Sequence, residues 1–205
     1  MESIFKLKCF LFFILLMLST FFGMAQNDSL KNKKMLFSEI GFIVGYGYGL
    51  GNNDIPEGNY RPILLIAHLG LNPFKNKELK NPGKISVFFE PQINPVMIKT
   101  SDQTNWSLEF GLNVGVQHVY PLTKHLSVYE LISTGPHFMG AQTITQTRGF
   151  IFSDNMGAGI YYFATEKVAI NFGFRIRHIS NADLMMPNHG INTYNFYLGL
   201  SKIFW

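Results

Sequence analysis

The 205-residue chain predicts an all-β protein, an eight-stranded antiparallel transmembrane β-barrel spanning residues 37–205. Three observations carry that reading. Aromatic residues make up 15% of the chain and charged residues only 15%, below the roughly 25% charge of soluble domains. Glycine is frequent, yet no apolar run after residue 25 is long enough for a membrane-crossing helix. Apolar and small-or-polar residues instead alternate with period two, over segments that match the about 9–11 residues a tilted membrane strand needs.

The first segment stands apart from the barrel. Lys6 and Lys8 form a basic start, Cys9 to Phe22 is an apolar run, and Gly23 and Ala25 occupy small-residue positions before a cleavage point. Residues 1–25 therefore read as a signal peptide; an uncleaved anchor is the competing reading, for which the run is short. Cys9 is the only cysteine, so the exported chain is expected to carry no disulfide and no thiolate metal site. Residues 26–36 read as a polar, basic tail.

The strands follow in order. Ile40, Phe42, Val44, Tyr46, Tyr48 and Leu50 share one face, with glycines dominating the other. Residues 60–71 alternate more weakly. Ile85, Val87, Phe89, Ile93 and Met97 oppose Ser86, Glu90, Gln92 and Asn94. Trp106, Leu108, Phe110, Leu112, Val114 and Val116 oppose Ser107, Glu109, Gly111, Asn113, Gly115 and Gln117. Residues 126–138 and 149–162 give weaker alternation. Val168, Ile170, Phe172, Phe174 and Ile176 oppose Asn171, Gly173, Arg175 and Arg177, and a last strand runs over 191–205, ending in Trp205 as many outer-membrane barrels do.

Turn-like breaks at 72–83, 99–105, 120–125, 164–167 and in the 181–190 region separate several of these strands. A soluble, lipocalin-like barrel would turn the aromatic face inward, and eight strands cannot enclose that many rings. The polar face, with Glu90, Glu109, Arg175 and Arg177 among glycines, suits a packed lumen in which these charges pair as structural filling.

Register then makes residues 175–192 informative. Counting by twos from Val168 reaches His178 and Ser180, which puts both on the lipid-facing side. Asn192 shares the apolar register of Tyr194, Phe196, Leu198 and Leu200, so pairing near 178 with 192 sets it beside His178. A strand order that starts in the periplasm brings this cluster to the outer leaflet. A histidine beside a serine is the pairing for nucleophilic acyl transfer, and a lipid-facing one would meet acyl esters. Polar residues at a strand end also have a bland reading, as interfacial positions.

The run His178, Ser180, Asn181, Ala182, Pro187, Asn188, Gly190, Ile191 resembles the signature of the lipid A 3-O-deacylase (PagL) family, with looser likeness in "GYGYGLGNN", "FFEPQINPV" and "GFIFSDNMGAGI". The resemblance implies an eight-stranded outer-membrane barrel with a lipid-facing site that cleaves an acyl ester of lipid A, the lipid anchor of lipopolysaccharide. It implies Ser180 as nucleophile, His178 as general base, and Asn181 and Asn188 as contributors to the oxyanion site. The family's third member is a glutamate where this chain has Asn192. An amide can hold the histidine tautomer but brings no negative charge, so a weakened or non-catalytic member of the family is the alternative.

Asp154 interrupts the apolar register Phe150, Phe152, Met156, Ala158 and Ile160 and is a candidate substitute acid if it pairs near His178. A register shift that turns Asp154 to the lumen or rim is the preferred reading. His68, His118 and His137 lie on three strands and read as strand or rim histidines rather than metal ligands. The chemistry calls for no metal or cofactor. No phosphate-binding glycine loop or nucleic-acid patch is present, and a formal charge of +4 is mild.

Overall fold

In the computed structural model, residues 37–50, 60–72, 83–99 and 104–204 are described. The signal-peptide and tail assignments and Trp205 lie outside them. Eight strands form one closed antiparallel barrel in which each strand pairs with the next and the last pairs with the first. They are β1 (Phe37–Gly49), β2 (Tyr60–Leu71), β3 (Lys84–Lys99), β4 (Thr104–Pro121), β5 (Leu126–Met139), β6 (Gly149–Phe163), β7 (Val168–Ser180) and β8 (Ile191–Ile203). Among the described residues no helix is long and apolar enough to cross a membrane.

The alternation decides which face goes where. Trp106, Ile132, Met156, Phe172 and Leu200 project outward and are exposed, while Glu90, Glu109, Arg175 and Arg177 are buried in the lumen. This is the reverse of a soluble barrel. With no strand edge left open around the closed ring, an apolar exterior and a polar interior satisfy the requirements of a strand in lipid.

The lumen is filled in layers. At one end lies an apolar cluster of Tyr60, Val96, Met139, Ile151, Ile179 and Ile191. At the other end Phe88, Tyr129, Tyr161 and Ile203 form a second cluster. Between them run charge networks. Arg175 donates to both oxygens of Glu90, at 2.6 and 2.7 Å, and its guanidinium lies 4.8 Å from the Tyr197 ring centre. Arg177 donates to Glu109 and, through Nε, to Ser153 Oγ at 2.8 Å. The expected pairing of these charges is thus realised, and bidentate geometry is what makes a buried pair sustainable.

Two of the three strand histidines join this network. His68 Nδ1 lies 2.9 Å from Glu90, and His137 Nδ1 lies 2.7 Å from Glu109. His118 instead sits near Glu130, at 3.7 Å. Lumenal glycines make room for rings: a Cβ on Gly173 would stand 2.1 Å from Tyr197 Cζ. Gly159 makes the same room for Tyr129, and Gly111 and Gly115 for His137 and Phe88.

Candidate active site

The candidate site grows out of the end of β7. Ile179 turns into the apolar lumen cluster and pairs with Ile191 of β8. That anchors the backbone, and the pleat then sends the neighbours His178, Ser180 and Asn192 to the outer face. All three are half-buried there. His178 and Asn192 are register partners, and His178 Nδ1 lies 2.9 Å from Asn192 Oδ1. An amide oxygen only accepts, so Nδ1 carries the proton and the lone pair of the ring is left on Nε2.

Ser180 stands two residues along the same face, a backbone separation of about 6.5–7 Å. Among the described residues its hydroxyl makes no hydrogen bond with the imidazole. Such contacts commonly close only with substrate bound. Behind the ring lies Gly190, at φ 75°. A Cβ there would stand 2.5 Å from His178 Cε1, so the left-handed backbone and the ring's proximity both call for glycine.

Asp154 does not turn inward. The β6–β7 register runs without a shift, Asp154 is opposite His178, and its side chain is on the outer face. The preferred expectation of a lumenal or rim position is corrected: unbroken pairing from Phe152 to Phe163 keeps every even-numbered residue of β6 outward. Thr134 of β5 is opposite Asp154 in turn and donates to its Oδ1 at 2.6 Å. Thr134, Asp154, His178 and Asn192 therefore form one polar row across four adjacent strands of an otherwise apolar exterior.

Asn181 and Asn188 organise the β7–β8 loop. The Asn181 backbone N–H donates to Asn188 Oδ1 at 2.7 Å, and Asn181 Nδ2 donates to the Met185 carbonyl at 2.7 Å. Asn188 Nδ2 donates to Asp183 Oδ1 at 2.9 Å. These bonds hold a turn with Ala182 and Asp183 at φ 52° and 60°, a region that costs energy for side chains and persists only where the surroundings enforce it.

Three contributors escaped the sequence reading. Thr134 is one; its outward position follows only once β5 is paired with β6. The β5–β6 loop is the second. Gln146 bridges to Asn188, Thr147 N–H donates to the Pro187 carbonyl at 2.8 Å, and His189 N–H donates to the Thr145 carbonyl at 2.8 Å. Nothing in the local pattern of residues 140–148 marks that contact. The third is a groove of about 800 Å³ on the outer surface, lined by Pro136, Pro91, Ala67, Phe138, Phe110 and Ile93 among others. Its floor continues the lateral row of the serine: Ser180 pairs with Phe152, Phe152 with Pro136, and Leu112 with Pro91. Among the described residues no cluster of three or more His, Cys, Asp or Glu could hold a metal ion.

Comparison with known proteins sets this geometry in context. No curated protein matches the chain. Among solved structures, the outer membrane enzyme PagL aligns at a TM-score of 0.54 and 14% identity, over 79% of this chain and 98% of that chain. Neisserial surface protein A aligns at 0.49 and 11%, over 81% and 96%, and Ail of Yersinia pestis at 0.45 and 15%, over 82% and 97%. At such identities the likeness is one of fold. The family profile of lipid A 3-O-deacylase (PagL) matches residues 79–201, more than half of the chain and a span that includes His178, Ser180 and Asn192. The chain belongs to the lipid A 3-O-deacylase (PagL) family.

Proposed function

We propose that this barrel resides in the bacterial outer membrane and is a serine esterase that removes an ester-linked acyl chain from lipid A. Ser180 is the nucleophile, His178 the general base, and Asn192 holds the imidazole. The observation that carries the reading is the bond from His178 Nδ1 to Asn192 Oδ1 at 2.9 Å on the outer face, with Ser180 two residues away on that face. It leaves the basic nitrogen free for the serine proton.

The reaction runs as acyl transfer. His178 Nε2 takes the proton from Ser180 Oγ as that oxygen bonds to the ester carbonyl carbon, and the carbonyl π pair moves onto its oxygen. The second Nδ2 hydrogen of Asn188 is the side-chain donor for that oxyanion, and Asn181 keeps the loop in place through the bonds to Asn188 and Met185. Collapse breaks the bond to the sugar oxygen, which leaves with the proton from Nε2. Water, deprotonated by the same nitrogen, then releases the fatty acid and regenerates Ser180.

Location and surface favour a lipid substrate. The turns at 122–125 and 164–167 are short, whereas the loops 140–148 and 181–190 beside the candidate site are longer, the asymmetry of outer-membrane barrels with their outer end at the long loops. The β2–β3 connection, 72–83, and the β3–β4 connection, 100–103, depart from it. The apolar groove beyond Phe152 offers a berth for an acyl chain of a lipid A molecule seated at Ser180. A second reading rests on Asn192: with a neutral amide in the acid's place, the barrel binds lipid without cleaving it. Purified protein reconstituted with lipid A separates the two. The esterase reading expects fatty-acid release that Ser180→Ala lowers at least 10³-fold, the scale of losing an activated nucleophile; no release from either protein leaves the lipid-binding reading.

A further inference from the structure

The outer face of β6 holds a carboxylate where lipid contact would be expected. Asp154 shares its register with Phe150, Phe152, Met156 and Ile160. An ionised group there is costly and persists with a partner. Thr134 supplies one hydroxyl hydrogen to Oδ1. Among the described residues no lysine, arginine or histidine nitrogen forms an ion pair with Asp154. Its register partner, His178, thus faces it across the register without a direct contact.

His178 is flanked from both sides. From β8 it meets Asn192, a neutral amide, with Tyr194 the next outward residue of that strand. From the loop it meets Gly190; the titratable loop residues are Asp183, which is bonded to Asn188, and His189, whose N–H is bonded to Thr145. On its own strand Arg175 and Arg177 point into the lumen, bound to Glu90 and Glu109. From β6 it faces Asp154. The imidazolium created by proton transfer from Ser180 thus has no anion on the Asn192 side and a carboxylate on the opposite flank.

We propose that Asp154, held by Thr134, is a positioning residue that supplies from β6 the negative charge which Asn192 cannot, stabilising the His178 imidazolium formed when Ser180 is deprotonated. In this step the serine proton ends on His178 and none passes to Asp154. The charge acts across one antiparallel register step, where Cβ atoms stand about 4.5–5.5 Å apart, in surroundings that screen poorly. The division of labour is unusual: tautomer control by the amide of β8 and charge by the carboxylate of β6. The inference rests on Ser180 being the nucleophile, and its test separates the two claims.

The full-length barrel is folded in detergent, its fold verified by heat-modifiable electrophoretic mobility, and reacted with a fluorophosphonate. Ser180 Oγ bonds to phosphorus, fluoride leaves, and the hydroxyl proton goes to His178, so the labelling rate reports base activation without the lipid. Fatty-acid release from lipid A gives kcat and KM in parallel. Asp154→Asn, which keeps an acceptor for Thr134, is expected to label about 10- to 100-fold more slowly, with kcat falling alike and KM unchanged. Adding Asn192→Glu to Asp154→Asn moves the charge to the other flank and is expected to recover most of the rate. Labelling of Asp154→Asn at the wild-type rate overturns the proposal. So does a slower variant whose KM rises and which Asn192→Glu fails to rescue, since that marks Asp154 as a substrate contact. Absence of Ser180 labelling in the wild type overturns the nucleophile assignment itself, and this inference with it.

Discussion

At the scale of single residues, the site is a matter of which way each side chain points. His178 and Ser180 were legible from parity alone, because unbroken alternation from Val168 leaves them one possible face. Asp154 was not, since a polar residue inside an apolar run fits a shifted register as well as an unshifted one; only the paired strand decides. Gly190 carries two demands at once, φ 75° and a ring against its Cα. Gly190→Ala is therefore expected to displace the imidazole and cut turnover by about 10²-fold, the scale of a misplaced catalytic group, while the barrel still folds. Kinetics alongside heat-modifiable mobility check this. Asn192→Ala removes the acceptor for Nδ1 and frees the ring to take the other tautomer, so a loss of similar size is expected in kcat rather than KM.

At the scale of elements, eight strands could be read from the sequence because each side chain reports its face every second residue. The loops could not, because their contacts obey no period. The β7–β8 loop is set by Asn181, Asn188 and Asp183 and is tied to the β5–β6 loop through Gln146, Thr147 and His189. Losing Asn188 leaves the Asn181 N–H without its acceptor, at a cost of about 1–3 kcal/mol to the loop. Asn188→Ala is expected to lower turnover and raise amide exchange across 181–190, with strand protection unchanged. Asn188→Asp combined with Asp183→Asn, which keeps the acceptor for the Asn181 N–H without setting two carboxylates side by side, should hold the loop better. Hydrogen exchange resolved by segment distinguishes the two.

At the scale of the whole molecule, the barrel turns inside out the arrangement of a soluble protein. Paired charges fill its centre, and rings cover its exterior. The lumen was legible as a polar face, and even its glutamate–arginine pairing could be expected, but the joining of His68 and His137 to Glu90 and Glu109 needed closure of the ring. Removing one member of a buried pair leaves an uncompensated charge, at about 3–5 kcal/mol. Glu109→Gln, which strands Arg177, is expected to lower the unfolding midpoint of the barrel markedly in urea titrations in lipid vesicles, more than Asp154→Asn on the exterior. The same inversion turns the candidate nucleophile to the outer face of the barrel. Mass spectrometry of lipid A from cells producing wild-type or Ser180→Ala protein tests its proposed role most directly. Species lighter by one ester-linked acyl chain are expected with the wild type and unmodified lipid A with the variant; identical acylation patterns from the two would rule out Ser180 as a lipid A nucleophile.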